Sequence, residues 1–525
     1  MLSALVSAVD TPALGAEPEP VDGDWLVYHL SAEPGTLNPI TATDAFESRI
    51  NSYILESLLE RDPKTTKLTP KLAEFWDISD DHLTYTFHLR KDVKWHDGKP
   101  FTARDVLYSF ERIRDPKVDA AHLRNYYRDV ESLEMLDDYT VRFTYKMPYF
   151  LALEFCGGLP IVPAHMFKEG DDFNTHPIGR SPVGTGPYKF EKWETGKEIT
   201  LVRNEDYWGE KPHLMRILFR IITNDTVALQ ALKRGELDVM GLRPIQWVKQ
   251  TEGRKFEKEF YKLKYYLPQY IYIGWNSAKP YFNDKRTRTA MTMFMDREGF
   301  VKEIMYGFAV VVTGNFYING PYYNKDIKPF PYDPEGAAAL LKEAGWEDHD
   351  GDGVIDKDGV PFKFEMMLPA GSKTGEQIAT ILQEDLKKAG IEMGIRRLEW
   401  AVFTQKLHAR EYDASILAWS LGWDADPFQV WHSSQIEGGS NTVGFKNEEA
   451  DEIIVEGRKE FDFEKRKAMY QRFHHIMHEE QPYTFMFTPE SLVAVSRRFE
   501  NVNVYKLGID PKEWWVPKDK QKYGK

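Results

Sequence analysis

The sequence predicts an α/β protein with more than one domain, and three observations support this. The chain has 525 residues, which is more than one hydrophobic core usually serves. Hydrophobic residues make up 42% and charged residues 29% of the chain, as in ordinary folded domains. Along the second half, segments of helical period alternate with apolar, strand-like segments, which is typical of α/β units.

The first half is predicted to be rich in strands. WLVYHL, LTYTFHLRKDVKWHDG, YTVRFTYKM, GPYKFEKW, KEITLVRN, MRILFRII and YIYIGWN have strand-like patterns, and the DG pair at residues 97–98 indicates a hairpin turn. The segment TARDVLYSFERIRD is predicted to be a helix that begins after Thr102. DAFESRINSYILESLLERD is also predicted to be helical, with one apolar face formed by Phe46, Ile50, Ile54, Leu58 and Leu59.

The second half alternates between helices and strands. Helical period is found in RTRTAMTMFMDREGFVKEIM, DPEGAAALLKEAGW, GEQIATILQEDLKKAG and EADEIIVEGRKEFDFEKRKAMYQRFHHIMHEE. The strands between them are PFKFEMMLP, MGIRRLEW and DASILAWS, and Trp400 at the end of MGIRRLEW is expected in the core. No repeat or flexible linker separates these blocks, so any lobes are expected to be joined by strand-like crossings.

Composition excludes several classes of protein. The net charge is 68 − 82 = −14, and an acidic chain repels phosphate backbones, so nucleic acid is not expected as a partner. Cys156 is the single cysteine and lies in the apolar run LALEFCGGLPIV, so an internal disulfide is impossible and buried packing is expected. The sequence contains no run of 18 apolar residues, so no transmembrane helix is predicted.

The N-terminal segment, residues 1–24, has two open interpretations. LSALVSAV is a short apolar run, and small residues near Gly15 resemble a cleavage point. A basic n-region is missing, and Asp10 interrupts the apolar run. The segment is therefore either an incomplete signal peptide or a disordered tail.

Several strings, in collinear order over about residues 25–510, resemble the family 5 extracellular solute-binding proteins. These are the oligopeptide-, dipeptide- and nickel-binding proteins of ABC importers. The strings are LNPITATDAFESRINSYILESLLERD, LAEFWDISDDHLTYTFHLRKDVKWHDGKPFTARDVLYSFERI, VGTGPYKFEKW, LVRNEDYWGEKPHL, ALQALKRGELDVM and IGWNSAKPYFNDKRTRTAMTMFMDREGFV. Each string alone is a weak signal, whereas their number and order are specific.

This resemblance implies a two-lobed, periplasmic-binding-protein-like fold with an extra third domain and a hinge. Lobe I would comprise residues 25–60, 184–278 and 485–525, domain II residues 61–183, and lobe II residues 279–484. The implied protein is not an enzyme. It is an exported, periplasmic or extracytoplasmic monomer that closes on a peptide or other small solute and delivers it to the permease subunits of an ABC importer. For the N-terminal segment, the resemblance also favours a signal peptide over a disordered tail.

The ligand side is expected in ILAWSLGWDADPFQVWHSS. By resemblance, Trp419 is the cleft tryptophan, and Gly422 occupies the position where peptide-binding members have an Asp that holds the α-ammonium group. Asp424 and Asp426 follow two and four residues later, as displaced substitutes or as carboxylates that only stabilise a turn. Without the family Asp, an oligosaccharide is the alternative ligand, because flat indole faces stack on sugars as well.

Further residues complete the expected site. Ser420 and the indoles of Trp423 and Trp431 accompany Trp419, and Asn441 in GGSNTVGF falls where the family brings a loop to the cleft. The resemblance places Glu33 on the opposing lobe. It also implies a hinge close to Asn276, where a buried strand ends.

The string DHDGDGVIDKDG has the spacing of a calcium loop. Its expected ligands are the carboxylates at loop positions 1, 3, 5 and 9 and one carbonyl at position 7, with Gly353 at the sharp turn. Gly359 stands at position 12, where a Glu is expected, and a strand follows the loop. A structural Ca²⁺ is favoured over a solvated acidic turn, since neighbouring carboxylates repel one another when unbound. The expected ligands are Asp348, Asp350, Asp352, Val354 and Asp356.

Other chemistry has weaker support. His474 and His478 have the i, i+4 spacing of a zinc helix, but no third ligand is identifiable. GxSxG, HExxH and Walker motifs are missing from the sequence. Two other classes stay open: a glycan-processing enzyme that uses Asp424 and Asp426 as paired carboxylates, and a chaperone-like receptor that uses the same cleft.

Overall fold

The structure is a computed structural model that describes residues 19–524. Residues 1–18 of the predicted signal peptide or tail therefore lie outside the described residues. Within residues 19–524, no helix is both long and apolar enough to cross a bilayer.

The described residues form 20 strands and 14 α-helices. The strands are β1 (Trp25–Leu30), β2 (Leu59–Arg61), β3 (Leu68–Pro70), β4 (Ala73–Ile78), β5 (Thr84–Leu89), β6 (Val130–Asp137), β7 (Thr140–Tyr145), β8 (Tyr188–Glu194), β9 (Glu198–Arg203), β10 (Arg216–Ile221), β11 (Val239–Gly241), β12 (Phe260–Tyr266), β13 (Gln269–Trp275), β14 (Ala309–Val311), β15 (Asp356–Lys357), β16 (Val360–Pro361), β17 (Lys363–Pro369), β18 (Glu392–Leu398), β19 (Ala414–Ser420) and β20 (Tyr483–Ser496). The helices are α1 (Ala45–Ile54), α2 (Ala103–Arg114), α3 (Ala121–Arg124), α4 (Ala152–Gly157), α5 (Asp225–Lys233), α6 (Arg254–Glu259), α7 (Lys285–Met293), α8 (Arg297–Glu303), α9 (Pro334–Glu343), α10 (Lys373–Lys388), α11 (Trp400–Ala409), α12 (Phe428–Trp431), α13 (Glu448–Lys459) and α14 (Phe463–Glu480).

One curled sheet runs through both lobes, in the order β18-β17-β19-β13-β20-β11-β1-β10-β9-β8. The long strand β20 joins its two halves. Its first part, residues 483–487, pairs with β13, and its second part, residues 490–496, pairs with β12. The predicted α/β class with two lobes is confirmed, and the lobes share a strand instead of being joined by loops.

This pairing moves the lobe boundaries from the predicted ones. We expected lobe I to include residues 269–278 and 485–488, but β13 pairs with β19 and with the first part of β20. The chain therefore crosses between lobes at residues 266–269 and again near residues 488–490. Asn276 lies beyond the first crossing, at the far end of β13, and a hinge close to this residue stays a prediction.

Domain II has its own four-stranded sheet, β4-β5-β7-β6. Its core is a separate apolar cluster that includes Phe87, Phe143 and Val162. His96 fastens this domain to lobe I: its Nδ1 accepts the Gly184 N–H at 3.2 Å and its Nε2 donates to the Gly186 carbonyl at 2.9 Å. Burial lowers the pKa of His96 to about 4, which keeps the ring in this neutral form.

Three local predictions differ from the structure. Helix α1 ends at Ile54, whose carbonyl accepts the Gly186 N–H, and Leu58 and Leu59 pack into the domain II core instead of continuing the helix. Two predicted long helices are each broken, one between α7 and α8 and the other between α13 and α14. Trp400 begins α11 with 57% of its surface exposed, so it is not in the core.

A buried ion cluster, which we call the terminal clasp, joins the two ends of the described chain. The Arg498 guanidinium lies between the carboxylates of Asp24 and Asp238, with 2.7 Å from its Nη2 to Asp238 Oδ2. Asp24 also accepts the backbone N–H groups of Lys522 and Tyr523, each at 3.0 Å. All three ionised side chains are almost fully buried.

Removing the clasp arginine should destabilise lobe I. Arg498→Gln would leave two buried carboxylates without their cation, which costs about 3–5 kcal/mol. The adjacent Arg497 is exposed and donates to the Glu257 carbonyl, so Arg497→Gln should change stability by about 0.5 kcal/mol or less. Urea unfolding followed by tryptophan fluorescence measures both, and equal effects would contradict this account.

Candidate functional site

The stretch 419–424 leaves the end of β19 directly beside the first lobe crossing. The Leu421 N–H donates to the Pro268 carbonyl at 2.8 Å, and the Tyr317 hydroxyl donates to the Tyr266 carbonyl at 3.0 Å. Ser420 and Gly422 are exposed at this position. The predicted ligand segment is therefore located where the two lobes meet.

The two tryptophans of this segment are half-buried and held in place by other aromatic residues. Trp419 donates from its Nε1 to the Tyr483 hydroxyl at 3.3 Å, and its ring is parallel to Tyr272, with centroids 6.3 Å apart. Trp423 meets Tyr317 edge-on, with centroids 6.0 Å apart. Rigid aromatic faces of this kind bind flat or extended ligands at low cost in side-chain entropy.

Asp426 is fully engaged within the protein. Its Oδ2 accepts from the Tyr149 hydroxyl at 2.9 Å and pairs with Arg458 Nε at 3.0 Å, while its Oδ1 accepts the Phe428 N–H at 3.0 Å. The Arg458 Nη2 also reaches Asp129 Oδ2 at 3.1 Å. Asp426 therefore stabilises its turn, which was the alternative role predicted for it. It also links lobe II to domain II through Tyr149.

We call Arg458, Asp426, Asp129 and Tyr149 the interdomain latch. Asp129 and Tyr149 belong to domain II, whereas Asp426 and Arg458 belong to lobe II. Burial alone lowers the pKa of Arg458, yet the nearby Asp426 and Asp129 carboxylates and the Tyr149 hydroxyl hold it above its ordinary value. The Phe150 N–H also donates to the Arg458 carbonyl at 2.9 Å. A network so well satisfied stabilises the contact between domain II and lobe II.

The Asp424 carboxylate has weaker contacts within the protein than the Asp426 carboxylate. Its carboxylate lies 3.9 Å from the Arg61 guanidinium, which forms a closer pair with Glu154 at 2.5 Å. The Asp424 side chain is 27% exposed. It is thus the carboxylate of this segment that retains access to a ligand. The paired-carboxylate enzyme hypothesis loses support, because Asp426 already has three partners.

Four other predicted ligand residues have structural contacts. Trp431 is 2% exposed and packs on Tyr483. The Asn441 and Asn276 amides are buried and donate to backbone carbonyls, and Asn276 ties down residues 410 and 412. Glu33 accepts from the Trp193 indole at 2.7 Å and from the Gly196 N–H at 3.0 Å. In this conformation the polar groups of Asn441, Asn276 and Glu33 are engaged by hydrogen bonds within the protein.

A large open cavity of about 1720 Å³ lies beside the crossing. Its walls come from α1, residues 57–64, the loop 207–213 and the C-terminal segment 500–515. Tyr265 of β12 and the crossing residue Leu267 also line it, and Ser420 is the contribution of lobe II. Of the predicted ligand residues, only Ser420 lines it. Sequence reasoning missed the other lining residues, because they come from separate stretches that carry no shared motif.

The acidic loop brings three of its four predicted carboxylates together. Oxygens of Asp348, Asp350 and Asp352 lie within 4.8 Å of one another, and all three side chains are exposed. They also accept N–H groups of the loop, including the Val354 N–H on Asp352 at 2.8 Å. Asp356 contacts His349 instead, accepting its N–H at 3.0 Å.

The histidine pair on α14 does not have the geometry of a zinc site. His474 is buried, and both ring nitrogens are used: Nδ1 accepts the Asn324 N–H at 3.0 Å, and Nε2 lies 3.1 Å from the Thr313 hydroxyl. His478 stacks on Phe330. Burial lowers the pKa of His474 to about 3, so the ring is a neutral part of the core.

Comparisons with known proteins point to one family. The family described as "Bacterial extracellular solute-binding proteins, family 5 Middle" matches residues 67–441. The oligopeptide-binding protein AppA of Bacillus subtilis is 32% identical over 527 residues, which cover 95% of this chain and 93% of that protein. The structure of AppA from Bacillus subtilis with a nonapeptide has a TM-score of 0.84 at 30% identity, covering 95% of this chain and 100% of that one. DppA from Helicobacter pylori with the peptide STSA has a TM-score of 0.81 at 28% identity, covering 95% and 99%.

A structural Ca²⁺ in the acidic loop remains our proposal, and melting experiments test it. Calcium that binds only the folded protein stabilises it by mass action, by about 2.7 kcal/mol at a hundredfold excess over Kd. We expect calcium to raise the melting temperature, EGTA to reverse the rise, and Asp350→Asn to abolish it. Asp358→Asn changes a nearby carboxylate outside the cluster and should keep the rise. A wild-type protein that melts identically in calcium and EGTA would rule out the site.

Proposed function

The chain belongs to the bacterial extracellular solute-binding proteins of family 5, and on that premise we propose that it captures a peptide by hinge closure. In this proposal the exported protein delivers the peptide to the permease subunits of an ABC importer. It needs no chemical step, because binding contacts that favour the closed state are sufficient.

The observation that carries this proposal is the position of the cavity beside the strand crossing. The crossing residue Leu267 and the lobe II residue Ser420 both line it. Among the described residues, two chain segments cross there, residues 266–269 and β20. A rotation about these strands would change the distance between the cavity walls without unfolding either lobe.

A peptide suits the side chains at this position. The cavity of about 1720 Å³ exceeds the size of typical small-molecule pockets. Next to its wall residue Ser420, Trp419 and Trp423 offer half-exposed aromatic faces. Two of the relatives have structures with bound peptides. We propose that Asp424 receives the α-ammonium group, because Gly422 has no carboxylate and Asp426 is paired with Arg458.

Peptide binding is tested by native mass spectrometry of the purified protein and by calorimetry with synthetic tri- to nonapeptides. We expect retained peptides, and an affinity that falls at least about tenfold in Trp419→Ala, since an aromatic anchor contributes roughly 2 kcal/mol or more. Trp400→Ala removes an exposed tryptophan on α11 and should bind as the wild type does. Saturable binding of oligosaccharides with no binding of any peptide would overturn the peptide assignment.

The interdomain latch should favour the closed state. Opening that moves lobe II away from domain II must break the ion pair between Arg458 and Asp129. It must also separate the stacked rings of His82 and Phe461, whose centroids are 3.8 Å apart. In Arg458→Gln we expect a larger radius of gyration by X-ray scattering and an affinity at least about tenfold weaker.

The control for the latch is Arg472→Gln on α14. Arg472 pairs with Glu449 within lobe II, and both side chains are largely exposed, so its loss should leave the scattering and the affinity unchanged. If Arg458→Gln also stayed compact and bound peptide normally, the latch would have no part in closure.

A further inference from the structure

Arg49 stands out among the cations that line the cavity. The other lysines and arginines of its walls each have a carboxylate within 4.0 Å: Arg61 with Glu154, Lys64 with Glu513, Lys71 with Glu60, Lys211 with Glu205 and Lys512 with Asp510. Within residues 19–524, the Arg49 guanidinium has neither a carboxylate partner nor a hydrogen-bond acceptor. An exposed arginine that its own fold leaves unpaired retains all five N–H donors for a ligand.

The position of Arg49 is set by neighbouring aromatic residues. It lies one turn into α1, and its guanidinium carbon is 4.9 Å from the centre of the Tyr28 ring. Tyr28 on β1 and Tyr265 on β12 line the same cavity wall as Arg49. A guanidinium held over an aromatic face keeps its N–H edge free, which is the edge that pairs with an oxyanion.

The two phenols add further donors to this wall. Neither the Tyr28 hydroxyl nor the Tyr265 hydroxyl has a protein acceptor among the described residues. Three elements, α1, β1 and β12, thus bring one cation and two hydroxyl donors to the same cavity. No carboxylate of the described residues lies within 4.0 Å of this guanidinium. The chemistry of this group matches a carboxylate, which accepts two parallel bonds from a guanidinium and further bonds from hydroxyls.

We infer that Arg49, with Tyr28 and Tyr265, receives a carboxylate of the bound ligand. This inference rests on the proposed function and narrows it: the solute is anionic at the end that enters the lobe I side of the cavity. For a peptide, the group is either the C-terminal carboxylate or an acidic side chain. The protein then discriminates against ligands that lack an anionic group at that position.

Peptides with a free or an amidated C-terminus test this inference by calorimetry. We expect the wild type to prefer the free acid about tenfold or more, Arg49→Gln to lose that preference, and Arg49→Lys to recover only part of it, since lysine lacks the bidentate edge. Arg254→Gln removes an exposed arginine outside the cavity and should keep the preference. Amidated peptides that carry one Glu distinguish an acidic side chain from the terminus.

The outcomes separate this inference from the proposed function. Peptides that bind the wild type and Arg49→Gln equally, in acid and amide forms, would refute the role of Arg49 and leave peptide capture intact. If no peptide bound the wild type, peptide capture would fail, and melting curves in glutarate would decide the inference. A glutarate-induced rise in the wild type that Arg49→Gln loses supports it, and equal curves overturn it.

Discussion

The architecture depends on one strand that runs through both lobes. Strand β20 pairs with β13 through residues 483–487 and with β12 through residues 490–496. Backbone pairing therefore continues along this strand from one lobe into the other, with β14 paired to residues 487–489 between the two parts. The lobes are connected at one span, which consists of residues 488–489 of β20 and of residues 266–269. The cavity, the aromatic segment 419–424 and the first crossing are close together because all three adjoin this span.

The two arginine clusters stabilise different parts of this architecture. The terminal clasp around Arg498 lies inside lobe I, where its three ionised groups are almost fully buried. The interdomain latch around Arg458 lies between domain II and lobe II, and its members come from both. A buried cation that loses its carboxylates costs several kcal/mol. The first cluster therefore stabilises lobe I internally, and the second stabilises the contact between domain II and lobe II.

Much of the fold was predictable, because period and turn chemistry are local properties. β1, β7 and β17 were expected from their apolar pattern, and the α2 start after Thr102 from its capping residue. The end of α1 was not, since Leu58 and Leu59 continue the helical spacing while serving another core. The crossing was missed for a similar reason: YIYIGWN reads as a buried strand whichever lobe it pairs with, and pairing partners are not visible in sequence.

The site was predictable in its location more than in its members. The resemblance placed the segment 419–424 at the cleft, and the structure places it beside the crossing. The resemblance did not separate buried residues from accessible ones. Trp431 and Asn441 are buried, whereas Trp419 and Asp424 are partly exposed. From sequence alone, a tryptophan or an asparagine in a core cannot be told from one in a cleft. Arg49 carried no signal at all, because an unpaired cation is recognisable only after its neighbours have been located.

The terminal clasp has one more consequence, for how motion in this protein is observed. Trp25 stacks on Tyr523 with ring centroids 4.9 Å apart, so the two ends of the described chain lie at one pole of lobe I. A dye attached near either end therefore reports from the same rigid body. Paired with a second dye on lobe II, for example at the exposed Trp400 position, it would convert a rotation of the lobes into a change in energy transfer.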